Sequence, residues 1–141
     1  MIQKTQVARI ETVHSEGEQR RRAIPARVLV VEDEVLIADL LEGMIQGLGY
    51  LVQATVHDFQ SAMEHARQGD FDIALLDILL GARGAYDIAD VLRRKQKPFA
   101  FVTGYDSVPD HAHAQAPILM KPFTTEQLRA LLEGLVAAQE C

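Results

Sequence analysis

Tryptophan is missing from this 141-residue chain, and its one cysteine, Cys141, is the last residue. A lone thiol supports neither a disulfide framework nor a thiolate metal site, which points to a reducing compartment, the cytoplasm. No apolar run approaches the roughly 18 residues of a membrane span. No continuous apolar stretch follows Lys4, which argues against a secretory leader. A Gly-x-Gly-x-x-Gly pattern after the first apolar run is lacking, as is Gly-Lys-Ser/Thr, so the common nucleotide-binding loops are excluded. Positive charge is also scarce: the net charge is -6, and it is uneven. Residues 1–26 carry Lys4, Arg9 and Arg20 to Arg22 against Glu11, Glu16 and Glu18, a balance of +2 that leaves -8 for the remainder. An acidic body argues against nucleic-acid binding and favours a cation or a basic protein as partner.

What is present is a globular composition, 48% apolar and 24% charged, in a length suited to one domain. Residues 1–26 lack a sustained period and read as a mobile N-terminal tail closed by Pro25, with the domain over 27–141. Arg27 to Val31 is a buried-strand run that ends in Glu32-Asp33-Glu34. Val35, Ile37, Leu40, Leu41, Met44, Ile45 and Leu48 then recur at helical spacing, stopped by Gly49. Tyr50 to Val56 reads as a second strand and Phe59 to Arg67 as a helix with Phe59, Met63 and Ala66 inward. Ile73 to Leu80 is apolar throughout except for Asp77, as in a strand buried on both faces. Tyr86 to Arg94 is helical, Pro98 to Thr103 is a fourth strand halted by Gly104, and Pro117 to Lys121 is a fifth. Between them, Tyr105 to Ala116 is weakly patterned, so a helix there is expected to be short. Thr124-Thr-Glu-Gln127 is a capping box opening a final helix with Leu128, Leu131, Leu132, Leu135 and Val136 inward.

Five strand–helix repeats with right-handed crossovers predict an α/β fold: a doubly wound parallel sheet of order 2-1-3-4-5 with helices on both faces. All strand ends then share one edge. Strand one ends at Glu32-Asp33, strand three at Asp77, strand four at Thr103 and strand five at Lys121. Three carboxylates held close repel unless one is protonated or a cation sits among them. A hard divalent ion with few protein oxygens suits the set, and Mg²⁺ fits best. An ammonium and a hydroxyl beyond the metal suit an anion such as a phosphoryl group, and a carboxylate can attack phosphorus to give an acyl phosphate. Asp77, on the inner strand, is the best-placed nucleophile.

Val28-Leu-Val-Val-Glu-Asp-Glu34, Leu75-Leu-Asp-Ile78, Val102-Thr-Gly104 and Lys121-Pro-Phe123, in that order, resemble the receiver domain of two-component response regulators. The resemblance covers 27–139. Pro98 to Tyr105 further resembles the FATGUY subgroup of receivers. The resemblance implies that Asp77 is the phosphoacceptor and that Glu32 and Asp33, with the Leu79 carbonyl, help position Mg²⁺. It also implies that Thr103 and Lys121 contact phosphoryl oxygens. Phosphate would arrive from a sensor histidine kinase or a histidine phosphotransfer protein. One departure stands out: many receivers carry an aromatic switch residue three positions before the lysine, and here that position is Ile118. Loop or helix ordering within Tyr105 to Ala116 is the expected substitute.

The chain after Leu132 is too short for an output domain, so a stand-alone switch acting through a downstream protein partner, a phosphorelay step or a phosphate sink is expected. A phosphorylation-independent adaptor is the alternative. An aspartate-nucleophile phosphatase of the haloacid-dehalogenase type wants a second Asp two residues after the first, where Leu79 stands. No membrane or nucleic-acid contact is expected, and no enzymatic activity beyond assisting its own phosphorylation and dephosphorylation. His111 and His113 are expected to be exposed and unligated, and Arg93, Arg94, Lys95 and Lys97 to form a solvated helix end.

Overall fold

The computed structural model describes residues 24–80, 84–104, 113 and 115–139. The chain alternates β1 (Arg27–Val31), α1 (Val35–Gly47), β2 (Leu51–Val56), α2 (Phe59–Gln68), β3 (Ile73–Asp77), α3 (Tyr86–Arg94), β4 (Phe99–Thr103), β5 (Ile118–Met120) and α4 (Thr125–Gln139). The strands form one sheet in the order β2-β1-β3-β4-β5. Every pairing is parallel. The expected architecture is therefore the observed one. The short helix expected between β4 and β5 lies outside the described residues apart from His113, Gln115 and Ala116, as do the N-terminal tail to residue 23, Tyr105, His111 and Cys141.

Alternation along the strands divides the core in two. Leu29, Val31, Ala74, Leu76, Phe99 and Phe101 point to one face and pack with Ala62, Met63 and Ala66 of α2 and Ile88, Val91 and Leu92 of α3. Val28, Val30, Ile73, Leu75, Ala100 and Val102 point to the other, against Leu41 and Ile45 of α1 and Leu128, Leu132 and Leu135 of α4. β3 and β4 are buried along their whole lengths, because helices cover both faces of the sheet's centre. Each fully buried Leu, Ile or Phe there contributes about 1.5–3 kcal/mol of burial free energy.

Local signals explain the element ends. Asp58 caps α2 by accepting the Ser61 N–H at 2.8 Å, and Gly69 closes that helix in the left-handed conformation at φ 67°. The capping box at α4 is complete: the Gln127 N–H donates to Thr124 Oγ1 at 3.0 Å, and the Thr124 N–H donates to Gln127 Oε1 at 2.8 Å. α1 covers only part of the apolar stripe that its spacing marks. Ala38, Leu41 and Ile45 are its buried residues, whereas Val35 and Leu40 are 55% and 54% exposed. The helix is short of covering strands on that side, so its apolar stripe is wider than the surface it packs on.

Candidate functional site

The parallel register brings four strand ends together. Val31 lies beside Leu76, so Glu32, just past the end of β1, comes beside Asp77 at the end of β3. Asp77 in turn lies beside Val102, one residue before Thr103 on β4. The Lys121 N–H donates to the Thr103 carbonyl at 2.8 Å, holding the residue after β5 against the end of β4. All the residues picked out by type and position are thus on one edge, the carboxyl edge, where open α/β sheets place ligand crevices.

Carboxylate oxygens of Glu32, Asp33 and Asp77 all lie within 4.8 Å of one another. Glu32 is fully buried and Asp77 nearly so, while Asp33 is exposed. Glu32 Oε2 accepts the Glu34 N–H at 3.2 Å. Glu32 Oε1 is buried and meets no hydrogen-bond geometry, although Lys121 Nζ stands at ion-pair distance, 3.2 Å. The ammonium supplies the opposite charge there. Asp77 Oδ1 accepts the Leu79 N–H at 3.1 Å. Burial, reinforced by the hydrogen bond and charge of Glu32, pushes the Asp77 carboxyl up to about 7. Lys121 moves up too: burial works against its charge, but the Asp77 and Glu32 carboxylates outweigh that and hold the proton on.

These observations bear on a metal. Three oxygen-bearing acids share one small volume, and a buried carboxylate oxygen is without a hydrogen bond. A buried charge left so is costly, and a hard divalent cation ligated by oxygens relieves both the repulsion and the unfilled oxygen. The donor set fits such an ion. Leu79 closes the rim with its side chain 63% exposed, and its amide is engaged by Asp77. Thr103 is buried, and its hydroxyl donates to the Gly104 carbonyl at 3.1 Å.

Two residues lay outside the sequence reading of the site. Glu34 brings Oε1 to 3.7 Å from Lys121 Nζ; the signal was the third acid of the Glu32-Asp33-Glu34 run. His57 Nδ1 contacts the Glu32 carbonyl at 3.0 Å and tethers the β1–α1 loop from the end of β2. Nothing in its sequence surroundings marks it. Ile118 is on the edge strand, 40% exposed, and carries no aromatic ring.

His113 is a correction. Expected exposed, it is 2% exposed, with Nδ1 3.0 Å from Arg93 and Nε2 3.0 Å from Asp90. The basic helix end changes accordingly. Arg93 binds His113 and lies over the Phe99 ring, and Lys97 donates to the Phe71 carbonyl at 2.9 Å. Aromatic rings from β4 and α3 create a pocket that His113 fills, which spacing alone does not reveal.

The fold and this edge define a receiver-type α/β domain. A family model for the response regulator receiver domain matches residues 28–133, and the chain belongs to that family. It is 32% identical over 120 residues to the transcriptional regulatory protein PdtaR of Mycobacterium tuberculosis, covering 82% of this chain and 58% of that protein. The chain spans about half the length of the curated relatives it matches. Among solved structures, SdrG of Sphingomonas melonis Fr1 is similar at 33% identity and a TM-score of 0.69, over 83% of this chain and 98% of that one. The receiver domain of sensor histidine kinase PA1611 from Pseudomonas aeruginosa PAO1, solved with magnesium in its active-site cleft, has a TM-score of 0.70 at 25% identity, over 80% of this chain and 98% of that one. Among the described residues no helix is long and apolar enough to cross a membrane.

Proposed function

We propose that this receiver domain accepts a phosphoryl group on Asp77 from a phosphohistidine of a sensor histidine kinase or a phosphotransfer protein, and signals by docking to a protein partner. The observation that carries this reading is the set of three carboxylates, a buried hydroxyl and an ammonium on one sheet edge, with Asp77 at its centre. Residues 27–141 form the proposed receiver unit and residues 1–26 its N-terminal tail.

The chemistry asked of the chain is modest. An Asp77 carboxylate oxygen attacks phosphorus, the nitrogen–phosphorus bond of the donor breaks, and the leaving imidazole takes a proton. Glu32, Asp33, Asp77 and the Leu79 carbonyl are the proposed holders of Mg²⁺, which supplies charge neutralisation for the incoming phosphoryl oxygens. Lys121 is anchored between Glu32 and Glu34 and offers its ammonium to a phosphoryl oxygen once that oxygen competes for it. Thr103 turns its hydroxyl from Gly104 to a second oxygen. Dephosphorylation is the attack of water on phosphorus, which regenerates the carboxylate and releases inorganic phosphate. Positioning and electrostatics suffice for both.

The reading is tested by intact mass after incubation with Mg²⁺ and phosphoramidate. One phosphoryl group is expected in the parent, and none in Asp77→Asn or when the metal is chelated. A gain that persists in Asp77→Asn contradicts the assignment. Gain of nothing by a parent that also fails with a phosphorylated kinase favours the phosphorylation-independent adaptor.

A further inference from the structure

α1 is apolar on two opposite faces. Ala38, Leu41 and Ile45 are buried against the sheet. At about 100° per residue, Leu36, Leu40, Gly43 and Gly47 fall on the side directly opposite. Leu36 is 83% exposed and Leu40 54%, and a Cβ added at either glycine would meet nothing within 4 Å. The outer face of a helix on a sheet is normally its polar side, and a helix apolar all round is a covered one. The charges beside this stripe have one sign: Asp39 and Glu42 are the ionisable residues of α1, which holds no lysine or arginine.

The chain itself carries a segment of matching chemistry. Val7, Ile10 and Val13 recur every three residues, as on one side of a short helix. Lys4 and Arg9 lie among them, with Glu11 as the one acid before Glu16. The segment also leaves the domain in the right place. The Leu51 N–H donates to the Ala26 carbonyl at 3.0 Å, and Leu51 opens β2 just after Gly47 closes α1. Ile24, two residues before Ala26, is 77% exposed. The stripe from Leu36 to Gly47 is about 16 Å long at about 1.5 Å per residue, the length of residues 2–13 as a helix. The stretch from His14 to Ala23 spans about 33 Å when extended, more than the stripe is long.

We propose that residues 2–13 dock as a helix along the outer face of α1. Val7, Ile10 and Val13 then rest on Leu36 and Leu40, with Lys4 and Arg9 beside Asp39 and Glu42. A second copy of α1 is the poorer occupant, since it would set Asp39 and Glu42 against the same acids with no cation between them. α1 starts directly after Glu32-Asp33-Glu34, so the docked segment also covers one side of the crevice's rim. The inference goes beyond the proposed function and holds whether or not Asp77 accepts a phosphoryl group.

The test uses the full chain with a nitroxide on Thr12→Cys, opposite Val7, Ile10 and Val13, in a Cys141→Ser background that leaves a single thiol. The amide signals of Leu36, Leu40, Gly43 and Gly47 in ¹H–¹⁵N spectra are expected to lose most of their intensity and to regain it when the nitroxide is reduced. Those of Ile118 and Met120, at the other edge of the sheet, are expected to keep theirs. Ile10→Asp, a change outside the strands and helices of the domain, is expected to abolish the loss at α1. Unlabelled ¹⁵N protein mixed with nitroxide-labelled ¹⁴N protein is expected to show no loss. A loss in that mixture assigns the face to a second copy and overturns the proposal. Full α1 intensities in the labelled chain leave the face to a separate protein and overturn it too, as does a loss that persists in Ile10→Asp.

Discussion

Asp77 closes a strand whose other members are apolar and buried on both faces, and its carboxyl shares a small volume with two more. Packing gives no reason for an acid there, and its charge opposes folding. Replacing it by Asn removes a like charge at nearly the same volume. Without metal at neutral pH, Asp77→Asn is expected to unfold about 3 °C or more above the parent, read by calorimetry. Adding Mg²⁺ is expected to raise the parent's midpoint and to leave the variant's nearly unmoved; equal gains in both contradict the shared cation site. Residues of this kind were legible in the sequence because each breaks its local pattern: Asp77 interrupts an apolar run, and Glu32 and Asp33 follow another. His113 breaks no pattern. It sits among polar neighbours, and only the rings of Tyr86, Phe99 and Phe101, gathered from two distant elements, make its surroundings apolar.

At the scale of elements, the helix ends carry their own tests. Gln96 follows the C-cap of α3 with φ 61°, a left-handed backbone that a side chain opposes. Gln96→Gly is expected to stabilise the domain by about 0.5–1 kcal/mol in urea unfolding. A loss of stability indicates that α3 ends in another way. At α2, the Ser61 backbone N–H, with the Ser61 hydroxyl in support, holds the Asp58 carboxyl below the usual carboxylate range. The folded state therefore binds that proton less tightly than the unfolded chain. The stabilisation from Asp58 is complete above the unfolded carboxylate range and fades as pH falls through the lowered folded value. Asp58→Asn keeps a capping oxygen, and its unfolding midpoint is expected to fall less than the parent's on acidification below pH ~4. Parallel curves for the two contradict the cap's charge. Elements of this type were readable because caps are local: Asp58 with Ser61 and Thr124 with Gln127 need only their own helix. The covered face of α1 is less legible. Val35 and Leu40 have helical spacing, yet whether an apolar stripe is covered depends on how far the sheet extends beneath it, and β2 is the last strand on that side.

For the whole molecule, strand order and site position came from one inference, since alternating strand and helix patterns with right-handed crossovers leave few topologies. That order alone brings the ends of β1, β3, β4 and β5 to one edge. The opposite edge is organised by Arg27, whose backbone N–H donates to Asp72 at 2.8 Å and whose guanidinium reaches Asp70 at 2.8 Å. The acids there are neutralised by a fixed cation of the chain, whereas on the carboxyl edge the cluster of Glu32, Asp33 and Asp77, with Glu34 beside it, faces Lys121, an imbalance suited to exchangeable partners. The most direct test of this account traps the phosphorylated protein with borohydride. Hydride reduces the acyl phosphate carbon to an alcohol and releases phosphate, so an aspartyl phosphate becomes homoserine. Peptide mapping is expected to find homoserine at position 77, dependent on Mg²⁺ and phosphodonor. Homoserine at position 33, or none in a protein that has gained a phosphoryl mass, would contradict Asp77 as the acceptor.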